Sequence, residues 1–86
     1  MDWKVEIKIL LKESILDPQG QAVEGGLEKL DYNNVSEVQV GKHIELELED
    51  LPSKEEASKQ VDEMCQRLLA NPVIEDYTFE IEELEG

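Results

Sequence analysis

The chain reads as an α+β protein of order βαββαβ, a two-layer sandwich with a four-stranded antiparallel sheet and two helices on one face. Three observations predict it. Apolar residues alternate with polar ones in several short runs, the period of half-buried strands. Two longer stretches place apolar residues three and four apart, the period of a helix face. The two halves also resemble each other: a shift of 38 residues lays Val23 on Val61, Leu30 on Leu68, Asn33 on Asn71, Val35 on Val73 and Glu37 on Glu75. Two βαβ halves in one small domain give the ferredoxin-like order.

The first strand carries Trp3, Val5, Ile7, Ile9 and Leu11 between Lys4, Glu6, Lys8, Leu10 and Lys12. Asp17-Pro18 then makes a turn and a helix start, because Asp caps and the φ of Pro is preset for a first turn. Val23, Leu27 and Leu30 form one face of this first helix, and Asn33-Asn34 is expected to close it. Val38 and Val40, with Val35 at the entry, suggest a short second strand. Gly41-Lys42 connects it to a third, where Ile44, Leu46 and Leu48 alternate with Glu45, Glu47 and Glu49. Strands two and three are expected to pair as a hairpin. The first and third strands should be neighbours, with Lys4 and Lys8 facing Glu45, Glu47 or Glu49.

Ser53 with Glu56 is a capping-box pattern. Ala57, Val61, Met64 and Leu68 mark the apolar face of a second helix, widened by Cys65 and Leu69. Asn71-Pro72 stops it, since the residue before proline avoids helical geometry. Tyr77, Phe79 and Ile81 alternate in a last strand, and residues 82–86 read as a frayed acidic tail.

Eighty-six residues make a single domain, 1–86, whose limited core favours oligomerisation unless a staple is present. A single cysteine, Cys65, excludes an intrachain disulfide and fits a reducing cytoplasm. No apolar run reaches the length of a membrane span, and no secretory leader is visible. Twenty-two acidic against eight basic residues give a net charge of −14. That argues against nucleic acid or anionic membrane as a partner.

Catalytic machinery is hard to find. His43 is the only histidine and has no evident partner residue. Cys65 falls well inside a helix near its apolar stripe, the place of a buried thiol rather than an activated one. The Glu45, Glu47 and Glu49 row reads as a solvated strand face. Glu80, Glu82 and Glu83 lack the spacing and turn glycine of a calcium loop. No catalytic, cofactor or metal residue is therefore assigned. The candidate contact residues are Ile15, Leu16, Asp17, Pro18, Gln19 and Gly20 in the turn before the first helix, Gly25 and Gly26 within it, and Lys42. Ile15 and Leu16 are apolar residues beside a turn, which fits a contact surface. Gly25-Gly26 costs helix stability, and reads either as a tolerated weak spot or as close approach of another backbone.

Several stretches together resemble the PurS-type small subunit of phosphoribosylformylglycinamidine (FGAM) synthase. They are Leu11-Lys12-Glu13-Ser14, Leu16 to Gly20 with Ala22-Val23, Gly41-Lys42 with Glu45-Leu46, Met64-Cys65 with Leu68 to Asn71, and Val73 to Tyr77. Gln39 departs from the Arg common before the Gly-Lys pair. The resemblance covers the chain to about Glu83. It implies a non-catalytic subunit that forms dimers or tetramers. Such a subunit joins a large synthetase subunit to a glutaminase subunit in purine biosynthesis and supports ammonia transfer between them. It implies no cofactor in this chain, with Mg-ATP and glutamine used by the assembled complex. The rival readings are a small-molecule-binding regulatory module acting at a dimer interface, and an acidic mimic of nucleic acid.

Overall fold

The computed structural model describes residues 1–84. Its elements are β1 (Asp2–Leu11), α1 (Pro18–Lys29), β2 (Lys42–Leu48), α2 (Lys54–Met64) and β3 (Glu75–Leu84), with a π turn over Cys65–Leu69 between the last two. The sheet is antiparallel and three-stranded, in the order β2-β1-β3. It therefore corrects the expected four-stranded sheet.

The missing strand is the one read from Val35, Val38 and Val40. Residues 35–41 pair with no strand, so the expected hairpin is absent. Alternation supplies a face but not a partner: the outer edge of β2 stays unpaired, and the Val40 N–H is taken by the Asp17 carboxylate instead of a strand. The expected neighbours are found: β1 pairs with β2 in a register that sets Lys4 opposite Glu47 and Lys8 opposite His43. Lys4 nevertheless forms its ion pair with Glu6 of its own strand, at 3.9 Å.

The core lies between one face of the sheet and α2. Trp3, Val5, Ile7 and Ile9 of β1 meet Leu48, Ile81, Ala57, Val61 and Cys65 there. Alternation on β1 drives this directly, since every second residue from Trp3 to Ile9 is buried. Ser53 Oγ accepts from the Glu56 N–H at 3.2 Å and starts α2 as the capping pattern predicts. The indole N–H of Trp3 donates to the Leu51 carbonyl and closes that end of the sandwich.

Only one helix covers the sheet. α1 makes almost no contact with the other elements, and its one buried residue is Gly20. The expectation of two helices on one face is corrected accordingly. The apolar stripe on α1 exists, but Val23 and Leu30 face solvent and Leu27 is half-buried. The helix also ends earlier than Asn33-Asn34. Asp31 takes a left-handed φ of 70°. The Tyr32 N–H reaches the Leu27 carbonyl and the Asp31 N–H the Glu28 carbonyl, which is a Schellman closure.

Two further corrections follow from hydrogen bonds. The Ala70 N–H donates to the Cys65 carbonyl, five residues back. That wider turn rotates Leu68 off the apolar face, leaving it 84% exposed while Cys65 stays buried. At the C-terminal end, β3 continues to Leu84 because β1 keeps offering partners down to Asp2. The expected tail from residue 82 is thus strand as far as 84, and residues 85–86 lie outside the described range. The chain spans 51 × 29 × 15 Å with a radius of gyration of 16.7 Å. A compact chain of this length would have about 12 Å.

Candidate functional site

Two segments that carry the resemblance, a first over residues 12–20 and a second over residues 64–77, meet at one end of the sheet, where β1 finishes and β2 and β3 begin. β1 is the hub: Ile9 faces Lys42 on one side and Leu11 faces Glu75 on the other. Just past β1, the Lys12 N–H donates to the Ile74 carbonyl at 2.9 Å. Lys42 Nζ sits 3.7 Å from Glu75 Oε2, and Lys12 Nζ 3.7 Å from Asp76 Oδ1. The lysines are open to solvent while the Glu75 carboxylate is largely covered, and the two pairs mark how the three strand ends are held together.

The first segment is organised by Asp17. One carboxylate oxygen accepts the Gly20 N–H at 2.9 Å, capping α1, and Pro18 opens the first turn as expected. The other oxygen accepts the Val40 N–H at 3.0 Å. A single side chain thus fixes both the start of α1 and the unpaired 35–41 segment. Gly20 completes the contact: a Cβ there would collide with the Val38 carbonyl and with the Asp17 carboxylate itself. Gly41 is constrained in the same way, against the Ile9 carbonyl and the Leu10 side chain.

The Gly20 and Val40 N–H groups hold the Asp17 carboxyl below the usual carboxylate range. Its folded pKa is thus below its unfolded one, so its contribution is present above the unfolded value, near 3.9, and is lost as pH falls through the lower folded value. Asp17→Asn is expected to destabilise the chain at neutral pH, with the gap to wild type narrowing below about pH 4. Urea denaturation of both proteins at a series of pH values checks this. A gap that stays constant or widens in acid would remove the role assigned to the carboxylate.

The second segment is a compact knot. Asn71 accepts the Val73 N–H through Oδ1 and the Ile74 and Glu75 N–H groups through its carbonyl. Glu75 Oε1 accepts the Asn71 N–H at 2.8 Å. Tyr77 donates to Asp62 Oδ1 at 2.6 Å, tying β3 to α2, and this bond raises the Tyr77 pKa. Cys65 is fully buried, and burial followed by the nearby Asp62 charge pushes its thiol up, away from the reactive thiolate.

The structure brings Asp17 and Gly20 together, and Lys42 to the same end of the sheet. Leu16, Pro18 and Gln19 are exposed, and Ile15 is half-buried. Gly25 and Gly26 sit apart on α1 with nothing within 4 Å of an added Cβ, so no backbone of this chain explains them. The pattern reading missed the surfaces left uncovered by α1, by residues 35–41, and by Leu68 and Val73. At Leu68 a groove of about 460 Å³ is lined by Leu46, Met64, Leu68 and Leu69 with Gln60, Glu63 and Arg67. The signal was present, because those residues are apolar at regular spacing. Leu46, Met64 and Leu69 pack against the core as that spacing predicts, and Leu68 alone of the four is turned outward.

No constellation of nucleophile, base and orienting group occurs among the described residues. What the fold presents is exposed apolar surface around rigidly tied strand ends, the make-up of an assembly subunit. Residues 4–83 match the family model PurS, phosphoribosylformylglycinamidine (FGAM) synthase. The chain belongs to that family of purine-biosynthesis ligase subunits. It is 55% identical over 84 residues to the PurS subunit of Synechocystis sp., covering 98% of this chain and 83% of the relative. Among solved structures, PurS of Methanocaldococcus jannaschii superposes with a TM-score of 0.83 at 40% identity, covering 96% and 99% of the two chains. PurLQS of Thermotoga maritima gives 0.86 at 30% identity, covering 95% and 99%. Among the described residues no helix is long and apolar enough to cross a membrane.

Proposed function

We propose that the chain acts as the non-catalytic bridge of its synthase, self-associating and holding a large synthetase subunit against a glutaminase subunit so that ammonia passes between them. The observation that carries this reading is α1. It extends from the sheet with Val23 and Leu30 exposed, the latter by 68%, an arrangement that wants a covering partner. The unpaired 35–41 segment, pinned by Asp17, offers free backbone groups for a neighbouring strand. Mg-ATP and glutamine are then handled by the partners, in the cytoplasm. The Thermotoga maritima neighbour, PurLQS, supports an assembly of this kind.

The test is synthase activity of the cognate large and glutaminase subunits with and without this chain, using either glutamine or ammonium as nitrogen donor. The expected outcome is that the chain restores the glutamine-dependent rate and leaves the ammonium-dependent rate unchanged. If it alters neither, the bridging role is wrong.

A further inference from the structure

The open face of the sheet, opposite the core, brings together three donor groups that the linear sequence separates. Glu6 of β1 stands directly across from Glu45 of β2, and His43 lies two residues before Glu45 on the same face. One ligand atom from each of these three residues lies within 4.8 Å of the other two. His43 Nε2 and Glu45 Oε1 are already 3.2 Å apart. We propose that Glu6, His43 and Glu45 form a divalent transition-metal site that staples β1 to β2.

Geometry comes first. Metal–nitrogen and metal–oxygen bonds of about 2.0–2.2 Å set neighbouring donors about 3–3.5 Å apart. His43 and Glu45 meet that spacing, and Glu6, within 4.8 Å of both, must close by at most about 1.3–1.8 Å, within reach of a side-chain rotation. His43 and Glu45 are exposed and Glu6 is half-exposed, so packing opposes no such adjustment. Three protein ligands on an open face leave remaining positions to water, the pattern of an open site rather than a closed structural one.

Donor chemistry selects the ion. One imidazole with two carboxylates suits zinc, cobalt or nickel, whereas magnesium and calcium favour oxygen ligands throughout. Charge points the same way. Glu6 has a carboxylate on both sides, Glu45 across β2 and Glu80 across β3, and like charges directly opposite repel. Its nearest cation is Lys4 Nζ, only at 3.9 Å. Lys8 stands opposite His43 and opposes a cation there, but it takes part in no ion pair among the described residues. A divalent ion between Glu6 and Glu45 relieves the repulsion more fully than a single distant lysine. This site is independent of the bridging role and stands or falls separately from it.

The experiment is calorimetric titration of the tag-free, chelator-treated full chain with zinc chloride, with nickel chloride and magnesium chloride alongside. His43→Asn, Glu6→Gln and Glu45→Gln follow, each checked for native circular dichroism. All three positions lie on the solvated face, so the fold should survive. Saturable zinc binding at one equivalent per chain is expected, at least tenfold tighter than magnesium, with each substitution weakening it by about tenfold or more. Absence of saturable zinc binding up to about 1 mM would overturn the site. So would binding that His43→Asn and Glu6→Gln leave unchanged, which would place the ion elsewhere on the chain.

Discussion

Ile7→Ala lowers the urea midpoint of this chain by about 1 M or more. Ile7 is fully buried at the middle of the central strand, flanked by Ile44 and Phe79 in the neighbouring strands. Removing its side chain forfeits transfer free energy and leaves a cavity, together about 2–5 kcal/mol. A chain this size holds roughly 4–13 kcal/mol in total. The lower end of that range would leave the variant largely unfolded at 37 °C. The sheet cannot readily collapse into the gap, because β1 is pinned on both sides. Urea denaturation at two or more protein concentrations separates this loss from any contribution of assembly. Glu80→Ala on the solvated face is the control and should stay within about 0.5 kcal/mol. A midpoint for Ile7→Ala within error of wild type would contradict the core described above.

The same chemical change at two glycines of α1 should have opposite signs. Gly20→Ala drives a methyl group into the Val38 carbonyl and the Asp17 carboxylate, so the cap or the 35–41 segment must move. Such overpacking costs typically 1–3 kcal/mol. Gly25→Ala meets open space in mid-helix and removes backbone freedom from the unfolded chain, a gain of about 0.5–1 kcal/mol. In a domain of this length each kcal/mol moves the melting temperature by about 4–8 °C, so paired thermal melts resolve both. Equal stabilisation by both substitutions would refute the close approach at Gly20. The solution mass of Gly25→Ala adds a further result. Unchanged assembly makes the glycine pair a helix weak spot, and lost assembly makes it a contact between chains.

Local rules made much of the fold legible. Alternation from Trp3 to Leu11 identified β1 and its buried face. Asp17-Pro18 and Ser53 with Glu56 identified both helix starts, because caps act over three or four residues. Most of the corrections concern partners rather than periods. Val38 and Val40, with Val35 at the entry, alternate like a strand, yet the neighbouring edge of β2 does not take up their backbone groups. Val23 and Leu30 form a sound apolar stripe, but a stripe does not say which surface covers it. Leu68 continued the pattern of α2 until a π turn rotated it outward. The candidate site divides along the same line. The bond from Asp17 to Gly20 is local and readable. The bond from Asp17 to the Val40 N–H, 23 residues away, needed the folded chain, as did the approach of Lys42 to Glu75.

The projecting α1 also governs how the molecule moves through solution. A thin plate bearing a free rod experiences more drag than a sphere of equal mass. A radius of gyration near 17 Å belongs to a compact protein of about 215 residues, well over twice this length. A lone chain would therefore elute from a size-exclusion column ahead of globular standards of its own mass, in the direction of a dimer. Subunit counting should rest on sedimentation equilibrium or light scattering, which report mass independently of shape.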